Sequence, residues 1–229
     1  MKCWNCQNPS DEALVCGRCG MPQPVGSPPG PFEALGLAPR LRWEAGELQG
    51  VHEDLARRCH PDLFRAHRDD RVLSASKSAM RALNDAYRTV RDRDSRLIYI
   101  LSALGQGQQS MRTVPEGLQD SAQILDRVLS RIEEARQKGD RAEWEAQQDH
   151  IASLQIKVEG ARERSDHALR VLAGEWDAGL SAAGGEWPEI GEEWIARAVT
   201  LAGERAYLRT VGGRLAEARE WPDEDPAPA

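Results

Sequence analysis

Four cysteines sit in two close pairs near the start of the chain, Cys3-x-x-Cys6 and Cys16-x-x-Cys19, with nine residues between the pairs. Four thiolates at this spacing can close a tetrahedral shell around one zinc ion, each pair supplying two ligands from a single tight turn. Gly17 and Gly20 are expected to give those turns their positive φ. A shell of four cysteines leaves no open coordination position, so the expected role is structural: the ion folds a piece too short to bury a core. A redox CxxC centre would need a βαβ context that the sequence does not supply. Lys2 and Arg18 are the only cations in this stretch, which is poor equipment for gripping phosphates.

The second constellation is His60-Pro61-Asp62, directly after Arg57 and Arg58. Proline fixes its own φ and pushes the residue before it out of the helical region, so a helix must stop here. His60 and Asp62 are then presented on a stiff corner beside two cations that a helix C-terminus favours. The fifth cysteine, Cys59, falls on an apolar stripe and reads as a buried small hydrophobe. His52, His67, His150 and His167 are too scattered to make a metal site, and Trp144, Trp187, Trp194 and Trp221 read as packing groups.

The elements that must position these groups follow from periodicity. Leu48, Val51, Leu55 and Cys59 recur at helical spacing and stop at Pro61. A second stripe runs Val72, Ser76, Met80, Leu83, Tyr87, Val90 behind the capping candidates Asp69 and Asp70, followed by the short cluster Leu97, Ile98, Ile100, Leu101, Leu104. Together these predict an antiparallel helix pair joined by the turn at residues 60–69, with a small helix at either end. Further on, Leu125, Val128, Leu129 and Ile132 form one stripe, broken at Gly139, and Asp140 and Glu143 have capping-box spacing. A long stripe from Trp144 to Leu172 and a last one from Trp194 to Leu215 complete a predicted three-helix bundle, with the chain turning back between Gly174 and Pro188.

Two Gly/Pro/polar stretches interrupt this periodicity. The expected organisation is therefore a zinc module over 1–21, a linker over 22–31, a helical domain over 32–104, a linker over 105–117, a helical bundle over 118–220 and a disordered tail over 221–229. Only 5% of residues are aromatic, and long Arg/Glu-rich tracts carry the apolar residues, which predicts an all-α fold. No apolar run is long enough to span a membrane and no leader peptide is recognisable, so a cytoplasmic monomer that binds neither membrane nor nucleic acid is expected. The net charge of −7 is unevenly spread: residues 1–39 carry −1, residues 40–100 carry +3 and residues 101–229 carry −9. A basic middle between acidic surroundings fits a protein partner with an acidic patch better than a nucleic acid.

The order helix, His-Pro-Asp, long helix, short apolar helix resembles the J-domain, the co-chaperone module that stimulates DnaK-type ATPases. The stretches RRCHPDLF (Arg57 to Phe64) and LNDAYRTVRDRDSRLIYIL (Leu83 to Leu101) resemble the HscB branch in particular, with Asn84, Ala86, Tyr87, Ser95, Arg96, Tyr99 and Leu101 at matched positions. A four-cysteine module ahead of the J-domain is similar to that of the longer members of that family, and the last helix EEWIARAVTLAGERAYLRTVGGRLAE resembles the last helix of the HscB bundle. The resemblance implies that Arg57, Arg58, His60, Pro61 and Asp62 dock a DnaK/HscA-type ATPase, and that the protein is an activator of that ATPase and not an enzyme. It also implies that the C-terminal bundle presents an IscU-type iron–sulfur scaffold, through Leu118, Leu125 and Leu129 on the segment LQDSAQILDRVLSRIEEA, Leu118 to Ala135. Stripes at helical spacing usually face inward, however, and Leu125, Val128, Leu129 and Ile132 fit a core equally well. Two other readings stay open: a J-protein serving a different client, and a zinc-ribbon adaptor for nucleic acid or metal with an inactive J-like segment.

Overall fold

The computed structural model describes residues 2–26, 29–107 and 113–222. The described residues are 68% helical and contain no strand beyond two isolated β-bridges, Lys2 with Pro9 and Val15 with Pro22. The expected all-α fold is borne out. The helices are α1 (Pro31–Leu35), α2 (Ala45–Cys59), α3 (Asp70–Arg91), α4 (Arg93–Ala103), α5 (Gln119–Lys138), α6 (Arg141–Ala146), α7 (Gln148–Ala182) and α8 (Glu192–Ala218), with a 3-10 turn at Pro61–Phe64. They fall into two compact units, residues 1–105 with 173–190, and residues 106–172 with 191–229.

In the first unit α2 and α3 form the expected hairpin. Leu48, Leu55 and Cys59 on α2 are buried, as are Val72, Ser76, Leu83 and Val90 on α3, while Val51, Met80 and Tyr87 are half-buried. The small helices expected at either end are α1 and α4. Asp69 caps α3 by accepting from the Arg71 N–H at 3.0 Å, and Asp92 caps α4 by accepting from the Ser95 N–H at 2.8 Å. Near the open end of the hairpin His52 stacks on Tyr87 with ring centroids 4.3 Å apart, and its Nε2 lies 3.0 Å from Asn84 Oδ1.

The second unit is built on α5, α6, the first part of α7 and α8. Leu118, Leu125, Val128, Leu129 and Ile132 pack with Ile151, Leu154, Val158 and Ala161 of α7 and with Leu208, Val211 and Leu215 of α8 in one core. Gly139 ends α5 with φ 67°, a left-handed conformation that other residues adopt only at a cost. The adjacent Asp140 side chain accepts from the Glu143 N–H at 3.1 Å and so caps α6.

Three sequence expectations change. The stripe from Trp144 to Leu172 is divided at Gln147 into α6 and α7. Helix α7 also runs past the expected turn, through Gly174 and Gly179, to Ala182. Two internal glycines weaken a helix by about 1 kcal/mol each, but Trp176 and Leu180 continue the Leu169 and Leu172 stripe and are buried. The segment 173–190 groups with the J-like hairpin, so the expected boundary of 118–220 does not coincide with a compact unit. Within the expected linkers and tail, residues 27–28, 108–112 and 223–229 lie outside the described residues, and with them most of the expected disordered tail. No helix among the described residues is long and apolar enough to cross a membrane.

Candidate functional site

The four predicted ligands converge. Their sulfurs all lie within 4.8 Å of one another, with 3.6 Å between the Cys3 and Cys19 Sγ atoms and 3.9 Å between those of Cys6 and Cys16. A tetrahedral ion with metal–sulfur bonds of about 2.3 Å separates its sulfurs by about 3.8 Å, so the donor set fits a metal ion. The two pairs are built alike. Cys3 N–H donates to Asn8 C=O and Gln7 N–H to Cys3 C=O; Cys16 N–H donates to Met21 C=O and Gly20 N–H to Cys16 C=O. The left-handed residue of each turn is therefore Gln7 (φ 60°) in the first and Gly20 (φ 70°) in the second. Gly17, expected to share that role, has no positive φ; a Cβ there would instead stand 3.4 Å from Glu12 Oε1.

The electrostatics of the cluster also call for a cation. Burial raises the Cys3 thiol, but N–H groups of Cys6 and Asn5 and the Gln23 amide outweigh it and hold Cys3 at about 6. Backbone N–H groups of Cys19 and Arg18 lower Cys16, whereas burial pushes Cys19 up to about 11. Four sulfurs in contact do not all ionise by themselves; a bound cation removes that conflict.

The His60-Pro61-Asp62 corner has the geometry the sequence implies. His60 is extended (φ −61°, ψ 131°), as a residue before proline must be, and Pro61 opens the 3-10 turn. The Asp62 N–H donates to His60 Nδ1 at 3.2 Å, which ties the imidazole to the backbone of the turn. His60 and Asp62 side chains are 50% and 58% exposed, and Arg65 closes on Asp62 at 2.8 Å. Leu63 is 63% exposed beside them, while Phe64 is buried and anchors the turn. The end of α2 is pinned to α3 where Ser76 Oγ donates to Cys59 C=O at 2.7 Å and the Cys59 thiol meets Met80 Sδ at 3.8 Å. Burial pushes that thiol up, which suits the expected core role and not a nucleophile.

Arg57 and Arg58 are on this corner but not free. Arg57 lies 3.6 Å from Asp54, and Arg58 lies 3.7 Å from the same carboxylate while its other terminal nitrogen is ion-paired with Glu12 of the cysteine module. Glu12 was missed because nothing in its local pattern marks it; its role arises from a partner 46 residues away. Leu118, Leu125 and Leu129, the predicted scaffold contacts, are 4%, 4% and 7% exposed, and so form core and not surface. The large apolar side chain that α5 leaves exposed is Ile124, at 44%.

No family model matches the chain. Curated relatives match about half of it: the iron–sulfur cluster co-chaperone protein HscB homolog of Arabidopsis thaliana is 30% identical over 115 residues, half of this chain and 44% of that protein. The co-chaperone protein HscB homolog of Aliivibrio fischeri (strain MJ11) is 34% identical over 103 residues, 43% of this chain and 59% of that one. The chain is similar to the HscB co-chaperones over about half of its length. It spans about half the length of these two HscB homologs. The crystal structure of human co-chaperone protein HscB shares the fold, a J-domain and a C-terminal helical domain, with a TM-score of 0.54 and 18% identity, over 95% of this chain and 98% of the human one.

Proposed function

We propose that this chain is a co-chaperone of iron–sulfur cluster assembly. His60, Pro61 and Asp62, with Arg57 and Arg58 behind them, dock a DnaK/HscA-type ATPase and accelerate its ATP hydrolysis, while the helices after residue 105 present an IscU-type scaffold to it. The observation that carries this reading is the pinned corner, whose His60 and Asp62 side chains are at least half exposed on a turn held by Pro61 and Phe64. The names of the curated relatives supply the iron–sulfur context. The chemistry takes place in the partner; this chain recognises and positions. The ion we assign to the four cysteines is zinc, which accepts four thiolates in a closed tetrahedral shell and brings no redox change to a structural site. The scaffold contact we place on the exposed face of α5, around Ile124, because the three leucines first expected to make it are buried.

The test is single-turnover ATP hydrolysis by the cell's own DnaK/HscA-type chaperone, with this protein alone and then together with the scaffold. Synergy between the two is the expected result. Stimulation without any contribution from the scaffold would leave a J-protein for another client. His60→Gln and Asp62→Asn are expected to abolish stimulation while helicity and melting stay unchanged, and stimulation that survives both would remove the J-domain assignment.

A further inference from the structure

The cysteine module touches both helices that flank the His60 turn. On the α2 side the Glu12 carboxylate is ion-paired with Arg58. On the α3 side the Arg71 guanidinium, itself held by Asp69 at 2.7 Å, stands 5.7 Å over the Trp4 ring. Trp4 is fixed in turn by its indole N–H, which donates to Pro22 C=O at 2.8 Å. Glu12 belongs to the loop between the two cysteine pairs. Its carbonyl accepts from Ser10 Oγ at 3.2 Å, and its carboxylate lies beside Gly17 in the second cysteine turn, 3.4 Å from where a Cβ would stand. The carboxylate is thus delivered to Arg58 by the fold of the cysteine module, and not by the helix on which Arg58 sits.

We infer that Glu12 is a specificity-determining residue of the docking corner: it holds the Arg58 guanidinium that an acidic chaperone surface would otherwise engage. Arg58 carries a carboxylate on each terminal nitrogen, Glu12 on one and Asp54 on the other, so an incoming acidic group must displace one of them. The Arg58 and Glu12 side chains are 35% and 42% exposed, which makes the pair exchangeable in water and its effect a tuning of affinity instead of a block. Asp54 belongs to α2 and stays near Arg58 whatever the module does. Glu12 is the variable part, and its presence shifts the corner toward partners able to do without Arg58 and to use Arg57, Arg65 and the exposed Leu63.

This inference rests on the docking role proposed above, and the experiment separates the two. Chaperone ATPase stimulation is titrated with the unaltered protein, Glu12→Gln, Arg58→Ala and the double variant, each checked for retained metal and unchanged helicity. Glu12→Gln is expected to lower the half-saturating concentration about two- to five-fold at low salt, the range an exposed ion pair supports, with the maximal rate unchanged. The gain should shrink as salt is raised and vanish on the Arg58→Ala background. Glu12→Asp, one methylene too short to reach Arg58 from the same backbone, should behave like Glu12→Gln, and serves if that variant loses metal. Equal half-saturation of Glu12→Gln and the unaltered protein, or the same gain with Arg58 absent, overturns the inference and leaves the docking role standing. Failure of the unaltered protein to stimulate at all removes both.

Discussion

The Trp176 indole N–H donates a 2.7 Å hydrogen bond to the Pro39 carbonyl, 137 residues earlier in the chain. One residue further, the Asp177 carboxylate accepts from the Leu41 N–H at 2.8 Å and from the Arg42 N–H at 3.1 Å. The end of α7 thereby supplies the hydrogen bonds that the irregular stretch between α1 and α2 cannot make for itself, and the stretch that leads into α2 is held in place. Asp177 and Asp92 also offset part of the burial that pushes the Arg96 guanidinium down, although Arg96 is 2% exposed. Arg96 is therefore buried within the first unit and does not belong to the exposed His60 corner.

Trp176→Phe keeps one aromatic ring but removes the indole donor and part of a fully buried side chain, leaving the Pro39 carbonyl without its buried partner. The unpaired carbonyl alone costs about 1–3 kcal/mol, so urea unfolding of Trp176→Phe should show a loss of at least that size. An unfolding midpoint equal to that of the unaltered protein would mean that another donor replaces the indole.

How much of this was legible in the sequence depends on the range of the interaction. The hairpin, the stop at Pro61, the caps at Asp69 and Asp140 and the four-cysteine cluster all follow from residues within a few positions of one another, where local sterics and capping decide. The extension of α7 through Gly174 and Gly179 was hidden because propensity argues against it, and only the burial of Trp176 and Leu180 against distant chain reverses the balance. The Glu12 contact was hidden for a related reason: a carboxylate in a loop acquires meaning only once the metal turn has aimed it.

The scaffold surface is the place where pattern and burial disagree most usefully. Leu125→Ala removes a side chain that is 4% exposed in the core of the second unit, and should cost about 2–5 kcal/mol in urea unfolding. Ile124→Ala, one position away and 44% exposed, should change stability by less than about 0.5 kcal/mol. Binding of an IscU-type scaffold should weaken in Ile124→Ala at full stability. If binding is instead unaffected by Ile124→Ala, the contact lies away from this part of α5.

The cysteine cluster predicts a metal content that can be counted. Freshly purified protein should hold one zinc per chain, and a strong chelator or the substitution Cys16→Ser should take that to none. No α-helix lies within residues 2–26, so the far-UV helical signal should stay while the near-UV signal of Trp4 is lost. Iron in place of zinc by elemental analysis, or a metal-free protein with Trp4 still ordered, would contradict the assignment.

Glu204 on α8 gives the second unit a pH dependence of defined sign. Burial, and after it the charge of Glu116, raises its carboxyl above the ordinary glutamate value. The folded chain therefore holds this proton more tightly than the unfolded chain does, and stability falls as pH rises through the interval between the unfolded value of about 4.3 and the higher folded one. Below that interval the carboxyl is neutral in both states and costs nothing; above it the folded state carries a partly buried charge near a second one. Glu204→Gln is neutral throughout, so its melting temperature should exceed that of the unaltered protein at pH 7 and match it at pH 4. A Glu204→Gln protein less stable than its parent at pH 7 would mean that the carboxylate is compensated by a cation, and that its burial is not the controlling influence.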